Sequence, residues 1–372
     1  MPSVAIISAF HDFRTAKRAS IHQVAAGLVK LGYDVSFLST RFSWLSRRTG
    51  DSRLPLWSKA NRVEVVDGVH CLLWRTAIHP FHSGVSLIDR ANGALYRPFA
   101  ALPNRQFDRL LAGADYLIFE SGIAALYIAR ARKLNPAAKI VYYAADRLST
   151  VGAHPFIEHQ LMESRSLIDH VILRARGMKD DFRWAENRLF KVGYGIDAKD
   201  FADVGPSPYR PDQLTAISVG SMLFDERFFQ LAAPNFPQVE FHVIGCGTKF
   251  DAVENVRIHP EMPFSQTLPF VKHATIGVAP YRPIDGSDYL AESSLKLAQF
   301  AYFGLPAACP HFAAGSKPGR IGYEPFDEAS IIKAVQSALD CAGQLAPQVF
   351  PTWQDVALQV IEPERGGAER ID

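Results

Sequence analysis

The chain has few cysteines and no pattern that joins them. Its 372 residues include four, Cys71, Cys246, Cys309 and Cys341, which lie far apart and form no C-x-x-C pair. A disulfide framework and a zinc site are therefore not expected, and the spacing favours a reducing cytoplasm. The chain also has no D-x-D triplet, so the sequence does not indicate a metal ion held by paired carboxylates.

Long apolar runs are missing as well. No stretch of about 18 consecutive apolar residues occurs, so no bilayer-spanning helix is expected. The first ten residues lack a basic region followed by an apolar one, so no signal peptide is expected. A protein of this kind that meets a membrane would lie on its surface.

The net charge of +2 hides an asymmetry. Residues 1–200 hold 28 basic and 18 acidic side chains, whereas the remaining residues hold 12 and 20. This split indicates two domains with different partners. A basic surface attracts nucleic acid, anionic lipid or diphosphate groups, although an ordinary solvated surface is the alternative.

Short apolar runs alternate with helical patterns in both halves, which is typical of buried parallel strands joined by helices. We predict an α/β protein of two doubly wound, Rossmann-like domains facing a cleft. A turn-rich segment from Asp203 to Pro208 predicts the linker. The expected domains are residues 1–203 and 209–363, and the charged tail 364–372 is expected to be disordered. The predicted strands are Val4–Ser8, Val35–Leu38, Val63–Val66, Val69–Trp74, Tyr116–Phe119, Ile140–Tyr143, His170–Leu173, Phe190–Val192, Leu214–Val219, Glu240–Ile244, Asn255–Ile258, Thr275–Ala279 and Ala307–Cys309.

Ligands of such folds bind beyond the carboxyl ends of the strands, so residues that follow a predicted strand are candidates. Asp146 follows Ile140–Tyr143 and is a candidate general base, with a helix N-cap as the alternative. Glu261 follows Asn255–Ile258 and suits hydroxyl or amide recognition, with a helix cap as the alternative.

A serine pair and a lysine begin a predicted helix in the second half, which runs from Leu290 to Phe303. Ser293 and Ser294 can cap its N-terminus, which is electropositive and suits a diphosphate. Lys296 lies just inside the helix and can add a positive charge, although a capped helix with a surface lysine fits the spacing equally well.

The segment from Arg41 to Arg48 mixes basic, apolar and aromatic residues around Trp44. This composition predicts a surface that meets an anionic membrane. RNA is the alternative, but no RNP, KH or helix-turn-helix pattern accompanies the segment, so no nucleic acid partner is expected. The same surface is expected to include Arg14, Lys17, Arg18, Arg53 and Lys59.

Many short stretches together resemble one family, the GumK-type inverting glucuronosyltransferases of xanthan-like exopolysaccharide assembly. The stretches are co-linear with the family along most of the chain. They are His11–Thr15, Gly50–Pro55, Leu73–Thr76, His79–Phe81, Phe119–Ala124, Asn135–Lys139, Asp146 with Leu148–Thr150, Val219–Asp225, Phe241–Gly245, Ile276–Tyr281 and Phe303–Ala307.

The resemblance implies a GT-B fold whose second domain holds the nucleotide and whose first domain holds the acceptor. It implies inverting transfer of glucuronic acid from UDP-glucuronate to the mannose of a polyprenyl-diphosphate-linked oligosaccharide. The enzyme would be peripheral, at the cytoplasmic face of the bacterial inner membrane. Inversion requires one in-line displacement, in which a base takes the proton of the acceptor hydroxyl.

The resemblance also implies roles for individual residues. The family's essential aspartate falls on Asp146. No cofactor or metal is expected, so the leaving diphosphate would be neutralised by Lys296, the helix terminus and backbone N–H groups. The UDP contacts of the family fall on Met222, Glu261, Tyr281, Leu295, Lys296 and Gln299.

Two of the candidate site residues depart from the family pattern. Leu295 replaces a methionine, a swap that conserves volume and should keep the contact. Lys17 replaces an arginine, so an interaction with the donor carboxylate would lack the bidentate guanidinium. Another UDP-sugar, or a non-catalytic nucleotide-sugar-binding subunit, is the alternative reading.

Overall fold

A computed structural model describes residues 1–16, 18–202, 204–251 and 253–371. These residues form two compact units, each with its own sheet and core. The first combines residues 1–193 with the segment that begins at Trp353, and the second spans Tyr194–Thr352. The boundary therefore lies about one helix earlier than the turn-rich segment that the sequence favours.

The strands of the described residues number fifteen. In chain order they are β1 (Ser3–Ser8), β2 (Asp34–Phe42), β3 (Val63–Val66), β4 (Val69–Arg75), β5 (Tyr116–Glu120), β6 (Lys139–Ala144), β7 (His170–Leu173), β8 (Leu189–Lys191), β9 (Leu214–Val219), β10 (Val239–Ile244), β11 (Val256–His259), β12 (Ile276–Val278), β13 (Ala307–Pro310), β14 (Arg320–Tyr323) and β15 (Glu369–Arg370).

Helices connect most of these strands. The α-helices are α1 (Ser20–Lys30), α2 (Ser86–Ala101), α3 (Arg105–Ala112), α4 (Ile128–Leu134), α5 (Pro155–Glu163), α6 (Ala198–Ala202), α7 (Arg227–Ala232), α8 (Phe264–Lys272), α9 (Leu290–Ser293), α10 (Leu295–Tyr302), α11 (His311–Ala314), α12 (Glu328–Asp340) and α13 (Trp353–Ile361). Turns of 3-10 helix lie within Trp44–Arg47, Leu54–Lys59, Ile123–Tyr127, Arg165–Leu167, Arg176–Arg188, Ala233–Asn235 and Ser287–Tyr289.

The sheet of the first unit has the order β15-β8-β7-β6-β5-β1-β2-β4-β3. Its pairs are parallel except β3 with β4 and β15 with β8. The central strand β1 is apolar and fully buried from Val4 to Ile7, because helices cover both faces of a parallel sheet. Burying each large aliphatic side chain contributes roughly 1.5–3 kcal/mol. The register pairs Ile7 with Phe119 and Glu120 with Tyr143, so the carboxyl ends of β1, β5 and β6 lie side by side.

The sheet of the second unit has the order β11-β10-β9-β12-β13-β14, and each of its pairs is parallel. Aromatic residues fill its core; Phe228, Phe229 and Phe241 are each at most 2% exposed. The carboxyl ends of β9, β10 and β12 therefore open on one edge of this sheet.

The C-terminal segment returns to the first unit, which corrects two sequence predictions. Helix α13 packs along α1, where a Cβ at Gly27 would overlap the carbonyl oxygen of Trp353. The tail predicted to be disordered instead forms β15, and Ile371 is buried with its N–H donated to the Leu189 carbonyl at 2.9 Å. Residues 353–363 thus belong to the first unit, and not to the second as predicted.

The thirteen predicted strands are confirmed with shifts of a few residues at their ends, whereas β14 and β15 were not predicted. The predicted helix from Leu290 to Phe303 is wrong in one respect, because Ser294 divides it. Ser294 has an extended backbone (φ −86°, ψ 107°), and its hydroxyl accepts the N–H of Leu297 at 3.1 Å. The N-cap predicted for this serine is confirmed, and it begins a new helix, α10.

Candidate active site

The loops after three strands are fixed by the same short motif, an aspartate two residues before an arginine. Asp12 binds Arg14 with two hydrogen bonds of 2.8 Å, and Asp51 binds Arg53 with bonds of 2.9 and 2.8 Å. Asp225 binds Arg227 at 2.8 and 3.4 Å. Bidentate pairs of this kind hold a loop in one geometry. The motifs therefore shape the carboxyl ends of β1, β2 and β9.

Asp146 lies two residues beyond β6, at the carboxyl edge of the first sheet. Its N–H is donated to the Ser121 hydroxyl, 3.4 Å away, and Ser121 in turn donates its N–H to the Tyr143 carbonyl at 2.9 Å. The side chain is partly exposed. The segment that carries the predicted base is thus attached to the loop after the neighbouring strand β5.

A buried carboxyl group lies beside this loop. Glu120 ends β5 and is 5% exposed. Ser8, at the end of β1, donates its hydroxyl to Glu120 Oε2 at 2.5 Å, and Nε2 of His11 lies 3.7 Å from Glu120 Oε1. Burial, together with a smaller effect of the Asp146 charge, raises the pKa of Glu120 to about 8, against the lowering effect of the hydrogen bond from Ser8. A carboxyl with such a pKa holds its proton at neutral pH.

The sequence patterns did not identify this cluster, although Glu120 lies within Phe119–Ala124, one of the stretches that resemble the family. Glu120 follows the predicted strand Tyr116–Phe119 directly, so the rule that selected Asp146 also selects Glu120. Ser8 is the last residue of the first predicted strand. Their contact depends on the register between β1 and β5, which no single-sequence pattern shows.

In the second unit, Tyr281 and Ser294 form a buried pair. Tyr281 follows β12, and its phenolic oxygen lies 2.6 Å from the hydroxyl oxygen of Ser294. Nζ of Lys296 lies 5.2 Å from the centre of the Tyr281 ring. The structure therefore brings three of the predicted donor residues together at the N-terminus of α10.

Lys296 is the positively charged group of this cluster. Burial lowers its pKa to about 7, against a smaller opposite effect of Cys246. No carboxylate in the described ranges lies within ion-pair distance of its ammonium group. A cation that is costly to keep charged, beside the electropositive end of a helix, suits a bound anion.

The loops after β9, β10 and β11 meet at the same edge. Phe224 forms a β-bridge with Tyr281, which brings the loop carrying the exposed Met222 against the loop after β12. Gly245, after β10, has a φ of +60°, and a Cβ there would lie 3.3 Å from Cα of Glu261. Met222 and Glu261 thus belong to loops that border the Lys296 cluster.

The remaining predicted donor residues lie on α10 or outside the described residues. Leu295 and Gln299 are four residues apart on α10 and share one face of it. Gln299 is 9% exposed. Lys17 lies outside the described residues.

The predicted basic and aromatic surface is smaller than expected. Trp44 is 66% exposed, and the guanidinium of Arg47 lies 4.3 Å from the ring centres of both Trp44 and Trp57. Arg14 and Arg53 do not belong to this surface, because both are buried in their aspartate pairs. None of the helices in the described part of the chain has the length and apolar composition to cross a membrane.

Comparison with known proteins extends these observations. A family model described as glucuronosyltransferase GumK, N-terminal domain, matches residues 6–174. The UDP-glucuronate:glycolipid 2-beta-glucuronosyltransferase of Xanthomonas campestris pv. campestris is 40% identical over 364 residues, which cover 97% of this chain and 90% of the relative.

Solved structures with low sequence identity share the fold. Sucrose-phosphate synthase from Thermosynechococcus elongatus matches with a TM-score of 0.61 and 13% identity, covering 98% of each chain. HepE from Anabaena, solved with UDP, matches with a TM-score of 0.55 and 9% identity, covering 98% of this chain and 97% of that one. The predicted GT-B fold is confirmed. Together with the 40% identical relative, the family model shows that this chain belongs to the GumK family of glucuronosyltransferases.

Proposed function

We propose that the protein transfers glucuronic acid from UDP-glucuronate to the mannose of a polyprenyl-diphosphate-linked glycan, with inversion, in exopolysaccharide synthesis. The observation that carries the proposal is the placement of Lys296. Lys296 lies at the N-terminus of a capped helix and has no carboxylate partner among the described residues. The chain that carries it is 40% identical to a relative named for UDP-glucuronate.

The reaction divides between two groups of side chains. Asp146 takes the proton of the acceptor hydroxyl, whose oxygen forms a bond to C1 of the sugar. The bond from C1 to the diphosphate oxygen breaks, and UDP leaves. Lys296 and the N–H groups of α10 stabilise the charge of the departing diphosphate. A resident metal is not needed in this scheme, so we expect turnover to be unchanged by EDTA.

The donor is tested by measuring UDP release with a series of UDP-sugars. We expect UDP-glucuronate to exceed UDP-glucose because the family uses the former. Lys17, in place of an arginine, is the feature that favours another donor. If the wild type and Lys17→Arg both preferred an uncharged UDP-sugar, that sugar would replace UDP-glucuronate as the proposed donor.

The acceptor is tested by product analysis. Wild-type protein is incubated with UDP-glucuronate and a short polyprenyl-diphosphate glycan that ends in mannose, with a glucose-ended glycan as the control. We expect glucuronate on the mannose alone. Equal transfer to both acceptors would contradict the assignment of mannose.

We also propose that the first unit binds an anionic membrane, at the cytoplasmic face of the inner membrane. Trp44 and Arg47 support this, and so does α2, where Leu87 is 80% exposed and Ile88 46% exposed. Aromatic, aliphatic and basic side chains together suit the lipid interface.

Vesicle sedimentation tests this surface. Binding should require anionic lipid and weaken with salt. Replacement of Trp44, Arg47 and Arg48 by alanine should abolish it, whereas replacement of the exposed Lys272 and Lys317 in the second unit should not. Binding that salt does not weaken, or that survives the triple replacement, would contradict the proposal.

A further inference from the structure

The buried carboxyl of Glu120 has no role in the reaction outlined above, yet it lies where the first sheet presents Asp146. Ser8 Oγ accepts the N–H groups of Phe10 at 3.4 Å and His11 at 3.1 Å. Its single proton is therefore left for Glu120 Oε2, at 2.5 Å. The N–H groups of Phe10 and His11 thus orient the Ser8 hydroxyl, which in turn orients the carboxyl.

Among the described residues, the second oxygen of Glu120 has no comparable donor. His11 Nε2 is 3.7 Å from Oε1, which is too long for a hydrogen bond. An ionised carboxylate with one hydrogen bond and 5% exposure would be poorly stabilised. These contacts and the burial therefore favour the protonated form of the carboxyl.

The one titratable group whose charge shifts the pKa of Glu120 also favours its neutral form. Asp146 faces it from the loop after β6, and its negative charge favours the neutral form of Glu120. Tyr142 and Tyr143 of β6 face it as well, and burial raises the pKa of both phenols, so they remain neutral. His11 is the one nearby group in the described ranges that can carry a positive charge, at the distance given above.

The neighbouring residue connects this carboxyl to the proposed base. Ser121 accepts the N–H of Asp146 at 3.4 Å. A shift of the end of β5 would therefore move the segment that carries Asp146. The contact is between Ser121 and the backbone, so Glu120 acts on Asp146 through position and charge, and not through direct transfer of a proton.

We propose that Glu120 is a positioning residue, a protonated carboxyl that places no second negative charge beside Asp146. The proposal rests on the proposed function, because Asp146 is the base there. With Glu120 neutral, the site repels an anionic donor and a diphosphate-bearing acceptor less than two carboxylates would. Ionisation of Glu120 at alkaline pH adds the second negative charge beside Asp146.

Infrared titration of the wild-type protein tests the protonation state without any activity measurement. The carbonyl band of a protonated carboxyl should be present at pH 7 and disappear with a midpoint near 8. Glu120→Gln should lack this band, and Glu163→Gln, at an exposed carboxylate, should retain it. In Asp146→Asn the midpoint should fall, since a neighbouring negative charge is removed. Absence of the band at pH 7 would overturn the proposal.

The pH profile of kcat, at saturating donor and acceptor, tests the positioning role. We expect the diphosphate of the bound donor to keep Lys296 protonated under these conditions, so that its titration does not enter the profile. Wild-type kcat should fall about tenfold from pH 7 to pH 9 as the carboxyl ionises, whereas that of Glu120→Gln should change less than about twofold over this range. If kcat fell equally in the wild type and in Glu120→Gln between pH 7 and pH 9, the positioning role of Glu120 would be overturned.

The two measurements also separate this proposal from the proposed function. An infrared band with the expected midpoint, in a protein that releases no UDP with any sugar donor, would contradict the proposed function and support the protonated carboxyl. Normal glucuronate transfer by a protein that lacks the band would support the proposed function and contradict the protonated carboxyl.

Discussion

The two units place opposite charges at the same position of the same kind of sheet. The first unit presents Asp146 and Glu120 beyond its parallel strands, and the second presents Lys296. Burial shifts both clusters toward neutrality, raising the pKa of Glu120 to about 8 and lowering that of Lys296 to about 7. The comparison teaches that the fold supplies a position, and that the residues there decide its charge and hence the role proposed for it, proton removal in the first unit and anion binding in the second.

Asp146→Asn should have the largest effect. The amide keeps the size of the side chain and cannot accept the acceptor proton, so kcat should fall by roughly 10²–10⁴-fold. Affinity for UDP, measured by calorimetry, should stay at the wild-type value because the donor cluster lies in the other unit. A variant with full turnover would show that another residue is the base.

Lys296→Ala should have the complementary effect. Loss of a charge-assisted hydrogen bond worth about 1.5–3 kcal/mol should weaken UDP binding by roughly 10- to 150-fold. Lys296→Arg, which retains the charge, should recover part of the affinity, and an unchanged melting temperature serves as the folding control. Equal UDP affinity in the alanine variant would remove Lys296 from the donor site.

The pH dependence of UDP binding sharpens the comparison. In the proposed reaction the protonated lysine binds the diphosphate, and burial lowers its pKa to about 7 in the free protein. UDP affinity should therefore decrease by up to about tenfold per pH unit above this pH. Lys296→Arg should show no such decrease, because arginine keeps its charge. The same decrease in both proteins would assign the titration to another group.

Ser294→Ala should have the smallest effect. It removes the N-cap of α10 and the contact with Tyr281, which should lower the free energy of unfolding by about 1 kcal/mol. UDP affinity should weaken several-fold as the helix N-terminus frays. Ser294→Thr keeps a capping hydroxyl and should approach the wild type in both measurements. Wild-type stability of the alanine variant would mean that the cap is unimportant.

Most strands were predictable because apolar runs such as Val4–Ile7 are buried on both faces. The exceptions have physical reasons. β14 is four residues long and only partly buried, and β15 consists of Glu369 and Arg370, which carry no apolar signal. The return of α13 to the first unit depends on its packing against α1, which lies more than 300 residues earlier in the chain.

The residues of the candidate site also differ in whether a local sequence pattern predicts them. Lys296 and Ser294 were predictable because a capped helix has a local signature. Glu120 was missed because its interest depends on burial and on Ser8, a long-range neighbour. Arg14 and Arg53 were assigned to a surface because composition does not show that an aspartate two residues earlier buries each guanidinium.

The stereochemistry of the product tests the central claim most directly. An α-linked UDP-glucuronate that reacts by one in-line displacement must give a β-linked product, visible in the anomeric coupling by NMR. We predict a β-glucuronoside from the wild type and almost none from Asp146→Asn in the same time. An α-linked product, or equal product from both proteins, would contradict a single displacement driven by Asp146.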